Sequence, residues 1–205
     1  MSDVAHLAAE LFRRAAGRGR FVIGVAGPPA AGKSTLAARL RELLGAEAAL
    51  LAMDGFHLDN TLLAARGLSA RKGAPETFDY AGFAALLQRL RAPGSEVFAP
   101  AFDRAADFSR AAAEHVPASA RFVIVEGNYL LLDQEPWNGL AGLFDWTVFL
   151  DVPKGELARR LVQRWVEHGL SPEAARERAF SNDMANVELV TGRRREADTV
   201  IVFGR

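Results

Sequence analysis

Gly24-Val25-Ala26-Gly27-Pro28-Pro29-Ala30-Ala31-Gly32-Lys33-Ser34-Thr35 is the stretch from which the rest of this chain is read. The apolar run Phe21-Val22-Ile23 precedes it, and Leu36-Ala37-Ala38-Arg39-Leu40 follows with the pattern of a helix. Gly27, Gly32, Lys33 and Ser34 stand at the spacing G-x-x-x-x-G-K-S, the signature of a phosphate-binding loop between a strand and a helix. Glycines at Gly27 and Gly32 let the backbone take conformations that side chains forbid. The N–H groups of the loop, from Ala30 and Ala31 through Gly32 to Ser34 and Thr35, can then turn inward around phosphate oxygens. The helix adds the partial positive charge of its N-terminus. Lys33 is expected at the terminal phosphates of a nucleotide, and the Ser34 hydroxyl on Mg²⁺. The plain alternative is a glycine-containing turn with a chance lysine, but strand, loop and helix all fall in the required order.

Working outward, Ala48 to Met53 forms a second short apolar strand that ends in Asp54-Gly55, and Arg121 to Val125 a third that runs into Glu126-Gly127. Trp146 to Val152 and Thr199 to Phe203 supply two more. Helical patterns lie between them: Lys33 to Leu44, Asp59 to Arg66, Tyr80 to Arg91 after the capping Asp79, Lys154 to His168, and Pro172 to Leu189. Val97-Phe98 and Phe102 suggest a further short strand, and Ala106 to His115 reads as strand or helix. Buried strands alternating with helices argue for an α/β fold with a parallel sheet covered on both faces. Ligands bind such sheets beyond the carboxyl ends of the strands, where the loop, Asp54 and Glu126 all lie.

Phosphoryl transfer to an alcohol needs an acceptor for the attacking hydroxyl's proton, an acid near Mg²⁺, and cations to offset the moving charge. Asp54 is the candidate base, although Asp-Gly is also a common turn pair. Glu126 is placed to hold Mg²⁺ together with Ser34, or else caps a turn as a strand-end carboxylate. Lys33, Asp54 and Glu126 form the catalytic set.

The bulk composition narrows the field. With 205 residues, half of them apolar, the chain suits a single domain over residues 1–205. Lys and Arg together number 25, as do Asp and Glu, so net charge gives no reason to expect nucleic acid or a membrane surface as partner. No cysteine is present, which excludes disulfides, thiol catalysis and cysteine metal sites and fits a cytoplasmic location. No run of about 18 apolar residues is found, and the segment before Gly17 reads as an amphipathic helix rather than a secretory signal.

With the loop, Asp54-Gly55-Phe56 and Glu126-Gly127 in hand, the chain resembles the P-loop kinases that include uridine kinase, phosphoribulokinase and bacterial type I pantothenate kinase. Asp54-Gly55-Phe56-His57-Leu58-Asp59-Asn60 is similar to the pantothenate kinase pattern D-G-F-x-x-x-N. Arg71-Lys72-Gly73-Ala74-Pro75-Glu76-Thr77-Phe78-Asp79 is similar to its R-K-G-x-P-E-[ST]-[YF]-D. Asn182, Asn186 and Arg193 resemble its C-terminal N-x3-N stretch followed by arginine. Phe102-Asp103-Arg104 departs from the Y-S-H of those enzymes, and Asp107 falls where uridine kinases carry histidine. The combination of motifs resembles bacterial homologues described as kinases of fructose transport systems.

The resemblance implies a P-loop NTPase three-layer sandwich with a mostly parallel five-stranded sheet, the loop strand at its centre, and a small acceptor-binding or lid insertion. It implies ATP with Mg²⁺, and a small-molecule hydroxyl acceptor such as a sugar, a nucleoside or a pantothenate-like compound. Phe56, His57 and Lys72 become candidate acceptor-site residues. Asp103 and Arg104 stand either on the acceptor or in a surface ion pair. Arg160 and Arg164 share a helical face at i, i+4 and are candidates for a lid that reaches the phosphates, or for a solvated basic face. A homodimer is a candidate assembly. The alternatives are a nucleotide-dependent regulatory switch, which would want N-K-x-D and D-x-x-G motifs that do not appear, and a catalytically silent ATP-binding relative.

Overall fold

Phe21–Ala26 is buried at every position, as the central strand of a sheet covered on both faces must be. In the computed structural model, which describes residues 2–92 and 94–203, this segment is β1. Parallel neighbours flank it, β5 (Phe122–Gly127) on one side and β6 (Trp146–Asp151) on the other. β2 (Ala48–Ala52) and β7 (Thr199–Val202) complete a five-stranded sheet in the order β2-β5-β1-β6-β7, with every pairing parallel. The loop strand therefore lies at the centre, as the resemblance implied.

Side-chain alternation divides the core into two layers. Val22, Val123 and Val125 face one way, onto Phe83, Leu86 and Leu87 of α4 (Tyr80–Arg91) and onto Trp137. Ile23, Val25, Ile124 and Val148 face the other way. They meet Leu7 and Leu11 of α1 (Ser2–Arg14), Leu36 and Leu40 of α2 (Lys33–Leu44), and Leu157 and Leu161 of α5 (Lys154–Glu167). Adjacent strand residues point to opposite faces, so one continuous apolar strand serves both layers. No helix among the described residues is long and apolar enough to cross a membrane.

Two regions differ from the expectations. Ala106 to His115, left open between strand and helix, contributes β4 (Phe108–Val116), which pairs antiparallel with β3 (Val97–Asp103). The register slips between Ala99 and Ala101, around Pro100, a residue with no N–H to give a ladder. The hairpin is rooted by the buried Val97, Ala99 and Val116, while most of β4 is exposed. The second region is the expected long helix from Pro172 to Leu189. It is α6 (Pro172–Arg178), a π-turn over Ala179–Asp183, and α7 (Met184–Gly192). π-Turns inside helices often mark functional sites, and this one carries Asn182 and Asp183 toward the sheet's carboxyl edge. Asp59 caps α3 (Asn60–Ala65) through the N–H of Thr61 at 2.8 Å, and Asp79 caps α4 through that of Gly82 at 2.9 Å.

Candidate active site

The loop between β1 and α2 wraps the start of the helix. Gly32 adopts φ 96°, a left-handed conformation that a side chain would strain, and this lets the backbone swing directly into the first turn of α2. Pro29, Ala30, Gly32, Lys33, Ser34 and Thr35 line a cleft of about 1010 Å³. Gly27 and Ala31 lie beneath that surface, where Ala31 spends its N–H on the Pro28 carbonyl at 3.2 Å.

Lys33 is buried, and its ammonium donates to the Pro28 carbonyl at 2.9 Å. Burial lowers its pKa, and the neighbouring charges of Glu126 and Asp54 pull it back up. Glu126 ends β5, one strand away from the loop strand. Its carboxylate accepts from the Ser34 hydroxyl at 2.9 Å. Burial raises its pKa, opposed first by Lys33. A buried carboxylate touching a hydroxyl, at the mouth of a phosphate-type loop, is a pair of hard oxygen donors of the kind Mg²⁺ takes. Asp54 follows β2, the strand beyond β5, so the ends of three strands converge on this corner.

Two close approaches bring those ends together. A Cβ on Gly55 would collide with the Pro100 carbonyl, so the glycine lets the β3–β4 hairpin lie directly against the Asp54 turn. A Cβ on Gly127 would come 2.6 Å from the Cβ of Met53. The hairpin's reach places Arg104 over Asp54, with Nη2 donating to Oδ2 at 2.7 Å. A second cavity, about 230 Å³, opens between Ser34, Asp54, Arg104, Glu114 and Glu126.

Three of the sequence-derived assignments change. Phe56 does not line either cavity. It is buried edge-on against Phe83 at 5.1 Å in the core, because the turn after Asp54 sends the next apolar side chain inward. Asp103 also stays outside the cavities. Its Oδ1 accepts from the N–H groups of Ala105 and Ala106 at 3.1 and 3.0 Å and so closes the hairpin turn. Arg160 braces the loop from behind rather than facing the cleft. It donates to Ala30 O at 3.2 Å and to Glu156 at 2.7 Å, and packs over Phe203. Arg164 does line the cleft, near enough to Lys33 to lower its pKa. Lys72 lines the cleft, where its ammonium donates to Asn60 Oδ1 at 2.7 Å and Asp107 O at 2.9 Å and pairs with the Asp107 carboxylate, whose Oδ1 lies 2.8 Å away.

His57 lines the cleft, stacked on Phe78 at 4.1 Å and with the tilted ring of Phe102 4.7 Å away. Burial pushes its pKa down to about 4, so the ring is neutral near pH 7. Its Nδ1 is buried without a partner, as is Oδ1 of Asn186 on another wall of the same cleft.

Much of the Arg71–Asp79 motif holds its own loop. Arg71 donates to Asn182 Oδ1 at 2.9 Å, Asn182 donates back to Lys72 O at 3.0 Å, and Tyr129 fixes Gly73 O at 2.5 Å. Trp165, His168, Arg178 and Asp183, none of them singled out in the sequence, also line the cleft, as does Asn60, the last residue of the D-G-F-x-x-x-N motif. Arg178 and Arg164 both lie over the Trp165 ring, at 5.2 and 5.3 Å, where α5 and α6 pack together. Arg194 and Arg195 are structural. Arg194 packs over Phe149, and Arg195 donates to the carbonyls of Leu130 and Asn138.

Comparison with known proteins gives this geometry its relatives. The family model described as Phosphoribulokinase / Uridine kinase family matches residues 22–205. The uncharacterized protein YggC of Escherichia coli K12 is 37% identical over 187 residues, which cover 89% of this chain and 77% of that protein. The ATP-dependent kinase-like protein notR' of Aspergillus versicolor is 42% identical over 147 residues, 66% of this chain and 85% of that protein. A crystal structure from Silicibacter sp. TM1040, provisionally described as a fructose transport system kinase, superposes with a TM-score of 0.92 at 44% identity over 97% of this chain and 98% of that one.

Proposed function

The chain belongs to the phosphoribulokinase/uridine kinase family, and from that premise we propose that it transfers the γ-phosphate of ATP, with Mg²⁺, to an alcohol group of a small metabolite. The observation that carries this reading is the convergence of Lys33, Ser34, Glu126 and Asp54 on one corner of the sheet, with a cavity beside them large enough for an acceptor. A relative named as an ATP-dependent kinase-like protein supports the choice of nucleotide.

In this mechanism the N–H groups of the loop and of the first turn of α2 bind the phosphates. Lys33 leaves the Pro28 carbonyl and lies against the transferring group, where its charge is worth most because the site is buried. Ser34 and Glu126 are the residues that would hold Mg²⁺, which when bound supplies neutralisation of phosphate charge. Asp54 takes the hydrogen bond of the incoming alcohol and receives its proton as the oxygen attacks. Arg164 adds positive charge from the α5 side.

The deciding measurement is ADP release from MgATP in the presence and absence of hydroxyl compounds. Turnover is expected only with an acceptor. Asp54→Asn is expected to keep nucleotide affinity and lose about 10²–10⁴ in transfer rate. Hydrolysis indifferent to every acceptor, or full activity in that variant, overturns the reading.

A further inference from the structure

Around Asp54 the charges are closed on one another. The Lys72 ammonium donates to Asn60 Oδ1 and Asp107 O and forms an ion pair with the Asp107 carboxylate. Asp107 sits at φ 55°, a left-handed conformation that aspartate tolerates better than most residues, and there both its carbonyl and its carboxylate reach the one ammonium. Its other carboxylate oxygen accepts from Asn60 Nδ2 at 3.0 Å. Arg104 is paired with Asp54. The third basic side chain, His57, is uncharged near pH 7, because burial takes its pKa down to about 4. The cavity beside Asp54 adds two further carboxylates, Glu114 and Glu126, with Arg104 as its cation.

An acceptor reaching Asp54 through this pocket therefore meets carboxylates on several sides and cations that already have partners. A carboxylate or phosphate on the acceptor would leave water for the Asp54 end of the cleft, where Lys72 and Arg104 already have carboxylate partners and Arg164 and Arg178, unpaired among the described residues, lie instead against Trp165 on the α5–α6 side, which is unfavourable. Hydroxyl groups suit it well. The Arg104 N–H groups beyond the one given to Asp54 can donate to them, the Asp107 carboxylate has lone pairs to accept from them, and the Phe102 ring offers an apolar wall.

Resting on the kinase reading, we propose that the acceptor is an uncharged polyhydroxy compound, of the sugar or sugar-alcohol class, and that Asp107 is a specificity-determining residue: by neutralising Lys72 it turns anionic acceptors away. A deproteinised low-mass cell extract, passed through a strong anion exchanger, gives the first test. Transfer of labelled phosphate from ATP is expected with the flow-through, and acceptor activity confined to the retained fraction overturns the proposal while leaving the kinase reading intact. Transfer with neither fraction removes both.

The second test compares the purified neutral acceptor with its carboxylate-bearing oxidation product. The wild type is expected to favour the neutral compound by at least about tenfold in kcat/KM. Asp107→Asn keeps the turn, since asparagine also tolerates this conformation, but leaves Lys72 uncompensated, and is expected to narrow that ratio several-fold. A loss of activity equal for both compounds, with the ratio unchanged, removes Asp107 from the proposal.

Discussion

The guanidinium of Arg104 lies 2.7 Å from the carboxylate of Asp54, joining two residues fifty positions apart in the chain. The bond spans the tip of the hairpin and the end of β2. It aims one oxygen of the candidate base while leaving the other toward the cavity. Arg104 is itself 61% exposed, so the pair adds little to folding. Its role is to orient Asp54 at the site.

Arg104→Met is accordingly expected to leave the melting temperature almost unchanged and to lower kcat/KM for the acceptor by about 10- to 100-fold, the range of a hydrogen bond to a charged group. Steady-state kinetics beside thermal denaturation checks this. A large drop in stability with normal kinetics per folded molecule contradicts it.

Lys33→Met is expected to abolish the rise in melting temperature that MgATP gives the wild type, because the cation that meets the phosphates is gone. Without nucleotide, the variant is expected to melt no lower than the wild type. The buried ammonium carries a desolvation cost that methionine, of similar length, does not. Differential scanning calorimetry with and without MgATP separates the two effects.

His57 gives stability a pH dependence of known sign. Its pKa is lowered from 6.5 to about 4 on folding, so the unfolded chain takes up the proton first as pH falls. The stability associated with the neutral ring is fully present above about pH 6.5 and is lost as pH drops toward 4. The loss amounts to about 3 kcal/mol across that window. Glu126, whose pKa is raised, acts in the opposite direction, so the comparison must be made against His57→Asn. Urea unfolding at pH 7 and pH 4 is expected to show a steeper loss for the wild type than for this variant.

Gly55→Ala is expected to destabilise the protein by about 1–3 kcal/mol, since the added methyl would meet backbone at Pro100 rather than a side chain that can yield. Because the displaced strand carries Arg104, acceptor kcat/KM is expected to fall as well. Denaturant titration and kinetics on the same preparation test both parts. A Gly127→Ala variant, hindered by the flexible Met53 side chain as well as its Cβ, offers a comparison on the opposite side of the Asp54 turn.

The sheet was legible because long apolar runs alternate with helical patterns, and because the loop signature fixes where one strand ends. Asp54 and Glu126 followed from the same logic, as the first polar residues after buried strands. Local spacing could not say which way a side chain turns once regular structure stops. Phe102 and Arg104 reach the site while Asp103 does not, which is the alternation of an extended strand. Phe56 follows a turn and falls into the core. Trp165 and Arg178 meet where α5 and α6 pack together, and Asp183, which accepts from Trp165 Nε1, sits in a π-turn whose extra residue breaks the 3.6-residue period on which helical faces are assigned. The Lys72–Asp107 contact joins segments whose meeting depends on the hairpin's bend, and no motif announces it.

The hairpin's anchorage has a consequence of its own. Its base is buried by Val97, Ala99 and Val116, whereas residues 102–110 project from that base and meet the rest of the molecule chiefly through the pocket. The tip is thus an interchangeable cassette. On the kinase reading, a relative's tip transplanted between the same anchors would retune the acceptor while leaving the β1–α2 loop undisturbed, and one scaffold could in this way diversify through a handful of surface positions.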